Sequence, residues 1–231
     1  IRARAVSAAG VLDSQTHTLS VSPGLHPAVA SDGTDFLAVW ENLDNRAWNI
    51  VGRAIVGGMP AGSGEVYISP AAGSQAAAPK VASRHQRSAF SSLYLVVFED
   101  RSVDLGSDIS AAGVSVTPNG AVSPYRYYVV ASGDRDEQVQ PDVAWNGTDY
   151  LIVWESHYNL GEGIETTIQG RRLTSVGLWT PFTIAPGYWI PSHFSLSEPG
   201  SPAVVFGAQC FLVCWRDNRD QAISASYGTD I

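Results

Sequence analysis

Apolar segments that open on a proline recur along the chain at intervals of roughly 50 to 60 residues. After each of them a short polar turn leads into a second, more apolar segment that ends in an aromatic residue. Continuous apolar runs of this kind predict β-strands that are buried on both faces. The prolines are Pro27, Pro79, Pro141 and Pro202, and the second segments are 36–40, 94–98, 150–154 and 211–215.

Two further strands are predicted in the repeats after a polar loop. The third strands are predicted at 50–55, 109–114 and 168–173, and shorter fourth strands at 66–69, 128–131 and 182–185. The turns that contain Gly33 and Gly147 indicate tight hairpins, because glycine accepts the positive φ that such turns need. Four antiparallel strands at this repeat length predict the blades of a β-propeller, and therefore an all-β fold.

The two ends of the chain are predicted to complete one blade. Residues 1–6 and 18–22 match the third and fourth strands that the last repeat lacks. We therefore expect one domain over 1–231, a closed four-bladed ring whose blades are 24–75, 76–138, 139–190, and 191–231 together with 1–23. In the alternative, residues 223–227 are a third strand, and the N-terminal strands belong to a further blade of a longer protein. The start at Ile1, without Met, is expected of a processed form or of a piece of a longer chain.

Composition and charge narrow the range of partners. Lys and Arg number 14 against 22 Asp and Glu, a net charge of −8, which argues against binding to a nucleic-acid backbone. No run of about 18 apolar residues is present, so no membrane span is predicted. Cys210 and Cys214 share one predicted strand, about 13 Å apart. Because that separation is too long for a disulfide, we expect two buried free thiols.

The repeat resembles the tandem β-propeller repeats of large secreted or surface proteins of bacteria, myxobacteria among them. The pattern Pro-x-Val-Ala, Asp/Asn-Gly-Thr-Asp, aromatic-Leu-x-Val-Trp, Ile-x-Gly-Arg and Gly-Val-Leu-Asp carries the resemblance, at 27–40, 146–154, 50–53, 168–171 and 10–13. The resemblance implies the fold and an extracellular location, and it implies no activity. The blade count is also similar to that of hemopexin-type propellers, whose central tunnel commonly holds ions, but no hemopexin motif accompanies it.

A local function is expected where the blades differ, because repeated residues build the blades. The loops between second and third strands share one face with the connectors between blades, and this face is irregular at loop 155–163 and connector 185–202. Aromatic rings beside polar groups suit sugars. In the alternative, the aromatic residues of the connector cover the space between blades three and four. The candidate ligand-binding residues are Trp48, His157, Tyr158, Tyr188, Trp189, His193, Asp217 and Arg219.

Acidic residues follow the second strands and allow three interpretations. They pair with nearby arginines, they bind Ca²⁺, or two of them work as the acid and the nucleophile of a glycosidase. No EF-hand-like loop and no zinc-type His spacing is present, so the metal site is unknown, no cofactor is certain, and Ca²⁺ or another ion in the central tunnel is a candidate. The residues are Asp44, Glu99, Asp100, Asp104, Glu155, Glu162, Asp217 and Asp220, with Arg46, Arg101 and Arg219 in the same loops.

Three functions remain open at this point. The leading hypothesis is a non-enzymatic extracellular module for binding or adhesion, lectin-like, with glycans or surface proteins as partners. Its basis is the irregular aromatic face together with the absence of a catalytic pattern. The second hypothesis is a structural propeller that assembles with copies of itself, as a homo-oligomer, or within a larger surface protein. The third is a glycosidase-type enzyme, which rests on the loop carboxylates alone. The first two imply secretion or a cell-surface location.

Overall fold

The computed structural model of the chain describes residues 1–44, 47–70, 75–85, 90–101, 106–133, 136–159, 163–191 and 200–217. This part of the chain consists of strands and turns and holds no helix. Antiparallel sheets follow one another in chain order, and each repeat predicted from the sequence forms its own sheet. The all-β fold class is therefore confirmed.

The strands divide into a short N-terminal ribbon and four sheets. The ribbon consists of β1 (Arg2–Ala3) and β2 (His17–Thr18); sheet 1 of β3 (Gly24–Ser31), β4 (Phe36–Asp44), β5 (Ala47–Val56), β6 (Met59–Pro60) and β7 (Val66–Tyr67); sheet 2 of β8 (Ala76–Ser83), β9 (Ser92–Asp100), β10 (Asp108–Val116) and β11 (Val122–Ala131); sheet 3 of β12 (Glu137–Trp145), β13 (Tyr150–Asn159), β14 (Gly163–Thr174), β15 (Gly177–Leu178) and β16 (Phe182–Pro191); and sheet 4 of β17 (Gly200–Gly207) and β18 (Cys210–Arg216).

Consecutive sheets pack face to face through their second strands. Leu37 of β4 belongs to the core between sheets 1 and 2, together with Phe98 of β9. Leu95 of β9 points the other way, into the core between sheets 2 and 3 that also contains Trp154. Leu151 of β13 packs between sheets 3 and 4. Because alternate residues of a strand face opposite sides, burial on both sides requires the unbroken apolar runs that the sequence shows.

The first strands of the four sheets, β3, β8, β12 and β17, border one common cavity. Sheets that stack face to face around such an axis have the arrangement of propeller blades. The ribbon pairs only within itself among the described residues. Its Leu19 is buried against the side of sheet 1 that faces away from sheet 2, beside Trp40. The closed ring, the blade shared by both ends and the blade boundaries stay predictions, and the alternative strand 223–227 lies outside the described residues.

The hairpin turns follow the chemistry expected of them. The Asp32 carboxylate accepts hydrogen bonds from the backbone N–H groups of Thr34 and Asp35, at 2.8 and 2.7 Å. Asn146 holds its own turn in the same way. Gly33 and Gly147 have φ of 98° and 99°, values that favour glycine. The two turns are therefore local structures, and the similarity of Asn146-Gly147-Thr148 to a glycosylation signal follows from its role as a turn.

Sheet 4 departs from the sequence-based expectation. The aromatic residues that end the second strands are buried in the first three sheets, whereas Trp215 of sheet 4 is 36% exposed. Cys210 and Cys214 are free, as the spacing predicted, but both are exposed, so the prediction of buried thiols is wrong. The physical reason for the exposed thiols is that no described strand covers the outer face of sheet 4, the face that Cys210 and Cys214 share with Leu212. Trp215 lies on the opposite face, with Phe211 and Val213.

Candidate functional site

The cavity bordered by the four first strands has a volume of about 630 Å³, and we call it the axial cavity. Its size lies within the range of small-ligand sites, about 300–1,000 Å³. The repeated prolines Pro27, Pro79, Pro141 and Pro202 all line its wall. Their rings present flat apolar surface to the cavity, and polar residues lie between them.

A strained backbone residue precedes each of these prolines. His26, Ala78, Gln140 and Ser201 have φ of 47°, 49°, 53° and 57°, in the left-handed region that non-glycine residues rarely adopt. The register between first and second strand shifts at the same place in all four sheets, as in a β-bulge. Such strain costs on the order of 1–3 kcal/mol and persists only where surrounding contacts hold it.

Three glutamates supply those contacts, each from the sheet that comes before. Glu41 accepts a hydrogen bond from the Ala78 N–H at 2.6 Å, and Glu99 accepts one from the Gln140 N–H at 2.9 Å. Glu155 accepts one from the Ser201 N–H at 3.3 Å. All three glutamates are at least nine-tenths buried. We call these bonds the glutamate latches, because each joins a second strand to the strained residue of the next sheet.

The fourth sheet lacks the residue that would make a fourth latch. In the strand register, Glu41 pairs with Leu25, Glu99 with Ala77, and Glu155 with Val139. The corresponding pair of sheet 4 is Gly200 and Arg216, so an arginine takes the place of the glutamate. A guanidinium cannot accept a hydrogen bond. Sheet 4 therefore cannot bind the strained residue of sheet 1 as the other sheets bind their successors.

The polar groups of the axial cavity carry both signs of charge. His26 Nδ1 lies 2.8 Å from Glu41 Oε1. Lys80 also lines the cavity and is exposed to solvent. Burial raises the pKa of the Glu99 carboxyl above its ordinary value. Burial likewise raises the pKa of Asp142, which accepts a hydrogen bond from the Val204 N–H at 2.8 Å. The cavity thus offers carboxyl groups beside the Lys80 ammonium and the His26 ring to a polar ligand.

Four of the residues predicted for the loop face come together at one end of sheet 3. In the strand register Glu165 of β14 pairs with Tyr158 on one side and with Trp189 on the other, and the neighbouring Thr166 pairs with His157 and with Tyr188. The side chains of Tyr188 and Trp189 lie outside the described part of the structure.

The His157 ring is engaged in the structure of sheet 3. Its Nε2 lies 2.5 Å from Glu155 Oε1, and its Nδ1 lies 4.0 Å from Glu137 Oε2. Trp48 belongs to sheet 1, where it pairs with Leu43. Asp217 directly follows β18 of sheet 4. His193 and Arg219 lie outside the described residues.

Of the acidic residues predicted for the loops, Asp44, Glu99, Asp100 and Glu155 lie inside strands, and Asp217 follows β18. Asp104, Glu162 and Asp220 lie outside the described residues. Glu99 and Asp100 belong to β9, and Glu155 belongs to β13. One predicted ion pair is present, since Arg101 Nη2 lies 4.0 Å from Glu99 Oε2. Among the described residues no group of three or more His, Cys, Asp or Glu could hold a metal ion. An ion in the tunnel stays a prediction.

The sequence reasoning missed Glu41 and the role of the strained residues. An available signal was the pair of an aromatic residue and a glutamate at the end of the second strand, 40–41, 98–99 and 154–155, with Trp215-Arg216 as the exception. The signal is short, and its meaning depends on the residue that the glutamate meets in the next sheet. Only the tertiary structure brings those two residues together.

Comparisons with known proteins leave the family of the chain open. No family model matches the chain, and no curated protein matches it. Among solved structures, the chain is similar to an alpha-L-arabinanase of Penicillium chrysogenum complexed with arabinobiose, with 14% identity over 83% of this chain and 74% of that chain. The TM-score is 0.32, so the fold assignment above rests on the sheets of this chain themselves. In the part that the structure describes, no helix has the length and apolarity needed to cross a membrane.

Proposed function

We propose that the chain is a non-enzymatic binding module that takes a hydroxyl-rich ligand, such as an oligosaccharide, in the axial cavity. The observation that supports this proposal is the lining of that cavity. Four proline rings offer apolar surface, and Glu99, Asp142, Gln140 and Lys80 offer acceptors and donors between them. Sugars combine an apolar ring face with hydroxyl groups that both donate and accept, and they match such a wall.

Three buried glutamates serve a structural role at the joints between sheets, and two of them, Glu41 and Glu99, also line the cavity. Glu41, Glu99 and Glu155 each already accept a backbone hydrogen bond of a neighbouring sheet. A glycosidase needs one carboxyl group as acid and a second one free to act as base or nucleophile. Three equivalent glutamates, each engaged in the same way, favour a binding role over a catalytic one. The module is proposed to work outside the cell, as a secreted or surface protein that meets glycans.

One observation favours hydrolysis as a second candidate. Glu99 borders the cavity, and burial raises the pKa of its carboxyl, as in general acids that protonate a leaving group. Incubation with oligosaccharides, arabinobiose included, followed by analysis of released sugars decides between binding and turnover. Hydrolysis that disappears in Glu99→Gln would overturn the non-enzymatic proposal.

The test of binding is a panel of immobilised neutral and acidic oligosaccharides, followed by calorimetry on any hit. We expect Lys80→Met and Asp142→Asn to weaken the binding of a hit at least tenfold. Ser175→Ala serves as the control, because Ser175 is exposed in the turn between β14 and β15. Binding that survives both cavity substitutions, or no hit at high protein concentration, contradicts the proposal.

A further inference from the structure

Sheet 4 exposes the face that every other sheet buries against its successor. The leucine at one repeated position shows this most clearly: Leu37, Leu95 and Leu151 are exposed by 0%, 2% and 5%, whereas Leu212 is exposed by 60%. Val205, which pairs with Leu212, is 59% exposed, and Cys214 lies on the same face. An apolar face of this kind is the half of an interface.

The matching half lies on sheet 1 and the ribbon. A groove of about 540 Å³ runs between them, lined mostly by apolar atoms of residues 1–6 and 27–29 and of Phe36 and Ala38. Val29 and Phe36 are 61% and 40% exposed there. They belong to the side of sheet 1 that faces away from sheet 2. In sheets 2 and 3, the corresponding side packs against the preceding sheet.

Two free strand edges accompany the two apolar surfaces. Among the described residues, β18 pairs only with β17, and β1 pairs only with β2. The repeat sets a register for joining them. Val39 pairs with Gly52, and Val153 pairs with Gly170. In the repeat, Cys214 takes the position of these valines and Ala3 the position of these glycines, so Cys214 is expected to pair with Ala3. Unpaired edges of this type are templates for the addition of a strand from another chain.

We propose that a second copy of this chain covers these surfaces, with β18 of one copy paired to β1 of the other. Both surfaces are exposed at once in one chain, so the described part of a single copy leaves them uncovered. Both surfaces are apolar, like the faces that pack together between consecutive sheets within one chain. The exposed face of sheet 4 in one copy is therefore complementary to sheet 1 and the ribbon of another copy. The joint between sheets 4 and 1 also lacks a glutamate latch, so it is the joint that opens most readily to exchange strands.

The register offers a direct test by disulfide formation. In a Cys210→Ser background, Ala3→Cys adds a thiol predicted to lie opposite the native Cys214, within the Cα separation that a disulfide allows. Mild oxidation with copper phenanthroline, which takes the two electrons, is followed by non-reducing electrophoresis and mass spectrometry of mixed light and heavy copies. Arg4→Cys is the control, because the next residue of a strand points to the opposite face.

We expect a dimer in light scattering of the wild-type chain and a disulfide between light and heavy copies for Ala3→Cys, with at least fivefold less for Arg4→Cys. Leu212→Asp is expected to give a monomer, and Val176→Asp, at an exposed turn, leaves the dimer intact. A disulfide within one copy shows that the ring closes on itself and overturns the proposal. A monomeric wild type, or a dimer without this disulfide, overturns it as well. None of these readouts depends on a sugar ligand, so their outcome is independent of the proposed binding of a ligand in the axial cavity.

Discussion

The Glu41 carboxylate accepts a hydrogen bond of 2.6 Å from the backbone N–H of Ala78, which lies in the next sheet and has a φ of 49°. The same relationship joins Glu99 to Gln140 and Glu155 to Ser201. A buried carboxylate therefore holds a strained backbone at each joint between consecutive sheets. Since the bond crosses from one sheet to another, it couples the stability of neighbouring blades.

Loss of one latch is expected to destabilise the chain. Glu41→Ala leaves the Ala78 N–H and the His26 ring without their acceptor, and we expect the free energy of unfolding to fall by about 1–3 kcal/mol. Urea denaturation measures the change. Glu137→Ala is the control, since the Glu137 side chain is largely exposed, and it is expected to change stability by less than about 0.5 kcal/mol. Equal effects of the two substitutions would contradict the structural role of the latch.

The two buried tryptophans of β4 and β13, Trp40 and Trp154, are expected to respond differently to replacement by phenylalanine. Trp154 Nε1 donates a hydrogen bond to Gln138 Oε1 at 2.7 Å, whereas Trp40 Nε1 has no acceptor among the described residues. Phe98 occupies the equivalent position in sheet 2, so a phenyl ring suits the site. We expect Trp154→Phe to cost about 1 kcal/mol more than Trp40→Phe. Thermal denaturation of the two variants, side by side, measures the difference, and a larger loss for Trp40→Phe would refute the explanation.

Two glycines of β17 are expected to differ in their tolerance of a side chain. A Cβ at Gly200 would collide with the Glu155 carboxylate, which is buried and bonded to His157 and to the Ser201 N–H. A Cβ at Gly207 meets no atom within 4 Å. We expect Gly200→Ala to lower stability by about 1–3 kcal/mol, and Gly207→Ala to be neutral or slightly stabilising. Calorimetric melting of both variants tests this; a neutral Gly200→Ala would mean that Glu155 moves without cost.

The contribution of Glu99 to stability is expected to fall as the pH rises above about 4.5, because burial raises the pKa of its carboxyl above that ordinary value in the folded chain. The folded state then holds the proton more tightly than the unfolded state. The resulting stabilisation is complete below the pKa of Glu99 in the unfolded chain. It is lost as the pH rises through the higher pKa of Glu99 in the folded chain. Asp142 acts in the same direction, from its ordinary value of 3.8 upward.

Glu99→Gln keeps an acceptor for the Gln140 N–H and removes the titration. We expect the unfolding free energy of this variant to depend less on pH than that of the wild type in the window that starts near 4.5, and Glu99→Gln with Asp142→Asn to depend less still. Urea titrations at several pH values provide the comparison. Identical pH profiles for the wild type and both variants would show that neither carboxyl group titrates abnormally.

The repeat, its strands and its hairpin turns could be predicted from the order of the residues alone. Apolar runs such as 36–40 and 150–154 are long enough, and their turns specific enough, that local chemistry decides them. The burial of Trp40, Phe98 and Trp154 followed from the repetition of one position in each unit. These features depend on residues that are close in sequence, or on comparison of one repeat with the next.

Where the repeats meet, and which residues lie at each joint, depends on how the sheets pack against one another. The axial cavity, the latches and the exposure of Leu212 depend on residues of different sheets. The partners of a latch are far apart in the chain: the Glu41–Ala78 bond spans 37 residues and the Glu99–Gln140 bond spans 41. In the sequence, Arg216 is one more polar residue after a tryptophan. The strand register shows that it occupies the position of the three glutamates. The packing of sheets that are distant in sequence sets these relationships, and residues that are adjacent in the chain do not determine them.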